Sequence, residues 1–231
     1  MKLHLKQITA PKTWIVPRQR RRFILRPRPG GHPVELGLPL GLIIRDVLQY
    51  VSTTAEAGKL LQAQEVLIDG RRRTDPHFHV GLFDVLSFPR LKKNYRLVLD
   101  GKGRVVIREI PAAESSLKPC KVIGKTVLKK GQIQYNLHDG KNIIVKENIK
   151  EKANVGDTFV LHLPQLSVQS ILPLQPGMLV FLTKGKHSGQ LGRLQELRGT
   201  EARYLIDQTP VETAKAYLFV VGEKTAVATV T

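Results

Sequence analysis

The sequence predicts an α+β chain that is mostly β, and three observations predict it. Apolar residues recur at helical spacing only within residues 40–63, short apolar runs parted by glycine-containing turns fill most of the chain beyond residue 63, and the first 34 residues carry no acidic side chain. These features divide the 231 residues into an extended basic N-terminal arm (1–36), a two-helix-plus-sheet module with a hairpin (37–110), a small central β domain (111–172), a small C-terminal barrel (173–222) and a tail (223–231).

The arm carries Lys2, Lys6, Lys12, Arg18, Arg20, Arg21, Arg22, Arg26 and Arg28, nine charges of a net +18. Five prolines and Gly30-Gly31 forbid a long helix there, so an extended segment is expected. Such a segment repels itself and becomes ordered along phosphates. Trp14 is the only tryptophan; it either stacks on a base or plugs a pocket in the protein, and packing is the commoner fate.

Residues 40, 43, 44, 47, 48 and 51 form one apolar helical face, so a first helix is expected. Thr53 and Glu56 spell a capping box, and a second helix is expected to begin near Thr54. Val66–Ile68 then suits a strand, Asp69-Gly70 a hairpin turn that leads directly into Arg71, Arg72 and Arg73, and residues 82–88 a further strand. Lys92 and Lys93 precede a hairpin over residues 95–110 that turns at Asp100-Gly101.

This helix, helix, strand, basic turn, strand order resembles the two-helix RNA-binding module of bacterial ribosomal protein S-four, some pseudouridine synthases and tyrosyl-tRNA synthetases. Ala57, Lys59, Leu60, Leu61, Val66, Ile68, Asp69, Gly70 and Phe83–Leu86 carry the likeness. The chain departs from the module at Thr54, where an arginine is usual, and at Phe83, where glycine is usual. His4 to Val16, with its histidine, lysines, proline and tryptophan, resembles the N-terminal signature of the archaeal and eukaryotic small-subunit ribosomal protein family S-four-e, although Gln7 stands where that family has a basic residue.

Residues 111–117 read as a linker and residues 118–172 as short strands; over residues 111–172 nine lysines, Lys118 and Lys121 among them, face five acids. In the S-four-e family this place is taken by a central β domain. From Leu174 to Leu194 the chain resembles a KOW motif, an element of SH3-like barrels in ribosomal proteins and transcription factors. Pro176-Gly177 opens it, residues 180–182 are its apolar run, and residues 185–189 its loop. Lys184, Lys186 and His187 on that loop, and Arg193 beyond it, would meet RNA backbone or a protein neighbour. Residues 223–231 read as a loose end.

Composition excludes several classes. A net charge of +18 and a pI near 10.2 select a polyanionic partner. No stretch has the roughly 18 apolar residues of a spanning helix, and no secretory signal is legible, so a cytoplasmic place and no membrane partner are expected. Cys120 alone allows neither a disulfide nor a cysteine-rich zinc site. His77 and His79 sit beside Asp75 without a third ligand, so no metal is expected. Gly192-Arg-Leu-Gln195 has glutamine where the pseudouridine synthases need aspartate, and Gly185-Lys186-His187 lacks the glycine and hydroxyl of a P-loop.

The resemblance therefore implies a structural constituent of the small ribosomal subunit. It would have no enzymatic activity, cofactor or small-molecule substrate, and it would touch rRNA and neighbouring small-subunit proteins. The expected RNA contacts are Lys6, Lys12, Trp14, Arg18, Arg20, Arg21 and Arg22 on the arm, Arg45 and Lys59 on the helices, Arg71–Arg73, Lys92, Lys93, Lys184, Lys186, His187 and Arg193. Recognition would be of backbone and shape. The alternatives are an RNA-modifying or tRNA-binding enzyme with the same module, or a KOW-containing transcription or translation factor.

Overall fold

The computed structural model describes residues 4–19, 21–63, 65–129, 132–145, 153–206, 209–223 and 225–230. These form two compact units: residues 1–98 with 104–115, and residues 99–103 with 116–231.

In the first unit the arm is not one extended run. β1 (Leu5–Lys6) pairs antiparallel with β2 (Phe23–Ile24), and Trp14 bridges to Val105, so the segment doubles back and docks. Burying the apolar faces of Trp14 and Ile24, 3% and 7% exposed, favours this over a solvated tail. β3 (Gly37–Pro39) leads into α1 (Leu40–Leu42), which continues as a π turn over Ile43–Val47 and stops short of Tyr50.

The second helix, α2 (Thr54–Ala63), starts as its capping box dictates. Glu56 N–H donates to Thr53 Oγ1 (3.2 Å), while Thr53 and Ser52 N–H donate to Glu56 Oε2 (3.3 and 2.9 Å). These bonds hold the Glu56 carboxyl below the usual range.

Beyond it come β4 (Leu67–Ile68), β5 (Arg71–Arg72), β6 (His79–Gly81), β7 (Val85–Phe88), β8 (Lys93–Leu99) and β9 (Val105–Ile110). One sheet runs β5-β4-β7-β8-β9, and β3 pairs with β6 separately. Asp69 and Gly70 have φ of 52° and 74°, the turn their spelling predicts. Phe83 has φ 65° and is fully buried, which explains why glycine suits this place and why the ring here must be held by packing. Arg96, also fully buried, donates to Glu114 Oε2 and to the Glu114 carbonyl, each at 3.0 Å.

In the second unit a single long strand, β10 (Leu117–Val127), spans Gly124, with an irregular register between Val122 and Gly124. Its first half pairs with β13 (Thr158–His162) and its second with β11 (Ile133–Leu137). With β12 (Asn142–Val145) and β14 (Ser167–Leu172) they make a five-stranded antiparallel sheet. A second such sheet, in the order β18-β17-β16-β15-β19, contains β15 (Leu179–Leu182), β16 (Leu191–Arg198), β17 (Glu201–Ile206), β18 (Thr209–Ala214) and β19 (Leu218–Gly222).

No packing break falls at residue 172. Val160, Leu172 and Leu174 lie in the same apolar cluster as Val180, Leu194 and Tyr204. The expected loose end is also corrected. Val227 N–H donates to the Val221 carbonyl (2.8 Å), and Ala228 and Val230 are buried, because small apolar side chains gain more by covering the sheet than by facing water.

Candidate nucleic-acid interface

Positive charge becomes a binding surface only where the side chain stays in water and keeps its donors available. On the arm, Lys6, Lys12, Arg18, Arg21 and Arg22 are exposed, whereas Arg20 lies outside the described residues. Arg18 turns its guanidinium inward in part, donating to the carbonyls of Ile8 and Pro11. Gln7, at the place of a family cation, is buried; its amide binds the Pro17 carbonyl and accepts from Arg21 N–H (2.6 Å). It therefore ties the arm together.

Trp14 is correctly placed by the packing alternative. Its indole N–H donates to the Val34 carbonyl (3.2 Å) and its ring is enclosed, so it has no face for a base. The exposed aromatic on the arm is Phe23, which sequence reasoning missed although the run Arg20–Arg22 directly before it was a signal.

Arg45 is withdrawn from the expected set. Its guanidinium bonds Asp46 through two nitrogens (2.8 and 2.6 Å) and Thr54 Oγ1 (2.6 Å), and its side chain is only 8% exposed. The hydrogen bond to Asp46 raises its pKa further. Thr54, where the module has an arginine, thus accepts from an arginine borne on the preceding turn. Lys59 remains exposed on α2.

The arginine turn divides. Arg71 points to solvent, and Arg72 is exposed but donates to the Gln62 carbonyl (2.9 Å). Arg73 lies over the Phe78 ring at 4.3 Å and is half-buried. Lys92 and Lys93 are exposed at the start of β8.

In the second unit Lys184, Lys186 and Arg193 are exposed, while His187 is half-buried against Gln190 (3.1 Å). Gly185 and Gly189 have φ of 93° and 87°, and a side chain at Gly189 would collide with the Asp100 carbonyl. These turns make the loop tight and hold its two lysines outward. Gly192 lies in β16 against the Tyr204 ring and the Leu205 carbonyl, where no Cβ fits.

Two lysines of the central segment face inward. Lys121 Nζ donates to the carbonyls of Ala216 and Leu218, each at 2.7 Å, and burial, with a contribution from Lys215, pulls its pKa down to about 8. Lys118 pairs with Asp139. Cys120, His138 and Asp139 bring three donor atoms within 4.8 Å of one another, but Lys118 and Lys141 already occupy the carboxylate as a cation would. His77 donates from Nδ1 to the Arg26 carbonyl (2.8 Å) and from its backbone N–H to Asp75 Oδ1 (2.9 Å), His79 is buried, and no donor trio among the described residues includes either.

Three family models match parts of the chain: "Ribosomal family S4e" over residues 91–168, "RS4NT (NUC023) domain" over 1–35 and "S4 domain" over 47–86. The small ribosomal subunit protein eS4 of Methanocaldococcus jannaschii is 39% identical over 234 residues, covering 96% of this chain and 95% of that protein. Its namesake from Methanocella arvoryzae is 37% identical, covering 95% and 94%. The crystal structure of the 30S ribosomal protein S4e from Thermoplasma acidophilum superposes with a TM-score of 0.68 at 27% identity, over 82% of this chain and 95% of that one.

Proposed function

Because the chain belongs to the S4e family of ribosomal proteins, we propose that it is a structural constituent of the small ribosomal subunit, in the cytoplasm, and that it binds rRNA by charge and shape. The observation that carries this reading is the near full-length match to small-subunit proteins eS4. It is not an enzyme: the family's role is structural, and Gln195 leaves no carboxylate at the one catalytic spelling the chain approaches.

The contacts are made by the exposed cations. Lys6, Lys12, Arg18, Arg21 and Arg22 serve on the arm, Lys59, Arg71, Arg72, Lys92 and Lys93 on the two-helix module, and Lys184, Lys186 and Arg193 on the last sheet and its loop. Arg73 and His187, each half-buried, serve at the margin. Each neutralised phosphate releases counterions, and A-form grooves hide base edges, so recognition is of backbone geometry. The five-stranded sheet of residues 179–222 functions as a KOW-type barrel, supported by its tight glycine loop. By function the chain divides into an arm (1–36), a two-helix module (37–110), a central β segment (111–172) and a KOW segment (173–222), the last two sharing one apolar cluster. Neighbouring small-subunit proteins are the second class of partner.

Sedimentation of small subunits through a high-salt cushion tests the reading. A constituent of the particle stays with the subunit, because contacts spread over many phosphates and an assembled surface survive screening. Recovery of the protein only in the wash would instead identify a loosely attached factor.

A further inference from the structure

We propose that Phe23 is a seat for one unpaired RNA base, with Arg22 and Lys6 beside it to hold that nucleotide's phosphate; this deepens the rRNA-binding reading and rests on it. Among the described residues Phe23 is the only phenylalanine, tyrosine or tryptophan that is exposed, at 45%. Apolar rings are normally covered, and this one lies within the first 34 residues, which hold nine cations and no carboxylate.

The ring is also held in place. His4 meets it edge-on, with centroids 5.3 Å apart at 75°, and the Arg22 guanidinium lies 5.3 Å from its centroid. The β1–β2 register puts Lys6 opposite Phe23, on the same face of the pair. A fixed aromatic with cations on two sides is what stacks a base and takes its phosphate, and every base has a π-face to offer.

A cavity of about 740 Å³ is lined by His4 and Lys6, while Phe23 itself lines a second, of about 600 Å³, with Arg21, Arg45 and Asp46, where Arg45 pairs with Asp46 at 2.6 Å. The lining of the first includes Arg26 and Arg28, the latter paired with Asp75 at 3.0 Å, and no carboxylate. A paired base cannot present its face, so the ligand is a bulged, looped or otherwise extruded nucleotide. An apolar patch meant for a protein neighbour would not need this surround of positive charge.

The test uses the full chain and two RNA hairpins of equal length, one with a single extruded uridine and one fully paired, with affinities measured by fluorescence anisotropy at fixed salt. Wild type should prefer the bulged hairpin. Phe23→Ala should bind that hairpin about 5- to 150-fold more weakly and the paired one unchanged. Phe23→Trp should keep the preference. Phe23→Leu, which retains apolar bulk without a π-face, should lose it.

Wild type binding both hairpins equally would overturn the base seat while leaving the RNA reading intact, and binding of neither would overturn both. An unchanged Phe23→Ala, equal weakening on both hairpins, or full retention by Phe23→Leu would each overturn the proposal.

Discussion

Lys118 donates a 3.0 Å hydrogen bond to Asp139 Oδ2 with both side chains out of water, at 0% and 1% exposure. The partner that makes this lysine tolerable lies 21 residues away, in the turn that follows β11, and Lys141 adds a second ammonium at 3.0 Å. Burial pushes the Asp139 carboxyl up. The charges of Lys118, Lys141 and His138, with the Lys118 bond, outweigh it and hold the group below the usual carboxylate range.

A depressed carboxyl stabilises the fold above its unfolded value, because only the unfolded chain takes up the proton between the two values. The protein should therefore lose stability as pH falls below the ordinary aspartate value of 3.8. Asp139→Asn should cost about 3–5 kcal/mol at neutral pH by taking the carboxylate away from the buried Lys118 ammonium. It should also flatten the acid limb of the stability curve, as read by denaturant unfolding across pH.

His79 has the opposite ionisation and the same sign. Burial, then the charge of His32, lowers its pKa, so the folded state holds it neutral while the unfolded chain binds a proton below the usual 6.5. Melting temperature should fall as pH drops through that value, and His79→Gln should make the fall shallower. Differential scanning fluorimetry between about pH 7.5 and about pH 5.5 measures it.

Thr53→Ala removes the acceptor for the Glu56 N–H and should cost about 0.5–2 kcal/mol, whereas Thr53→Ser should cost little. Chemical denaturation of the three proteins decides it, with helix content by circular dichroism as the local readout.

The arginine turn should split by position. Arg71→Ala should weaken RNA binding and reduce the salt slope by about 0.7 to 0.9, one phosphate contact. Arg73→Ala should act mainly on stability, because its guanidinium covers the Phe78 ring. A salt titration of RNA affinity with each variant separates them; equal slopes for wild type and Arg71→Ala would take Arg71 out of the interface.

Local spelling was readable wherever neighbours in sequence complete one another's hydrogen bonds. The Thr53–Glu56 box and the Asp69-Gly70 turn form where their residues say. The C-terminal strands likewise alternate with their glycine turns. Phe83 shows the limit: its left-handed φ marks a glycine place, yet a fully enclosed ring occupies it. That choice is made by what packs around the ring, which periodicity does not report.

From sequence alone came the mostly β architecture, the order of its pieces, the excess of positive charge and the family likeness, since all of these reside in composition and short-range pattern. Tertiary structure alone decided which cations face outward. It turned Lys118, Lys121, Arg45 and Arg96 inward, enclosed Trp14 and left Phe23 exposed. The physical reason is that a charge or ring stays inside only if a partner closes over it, and those partners arrive from distant parts of the chain.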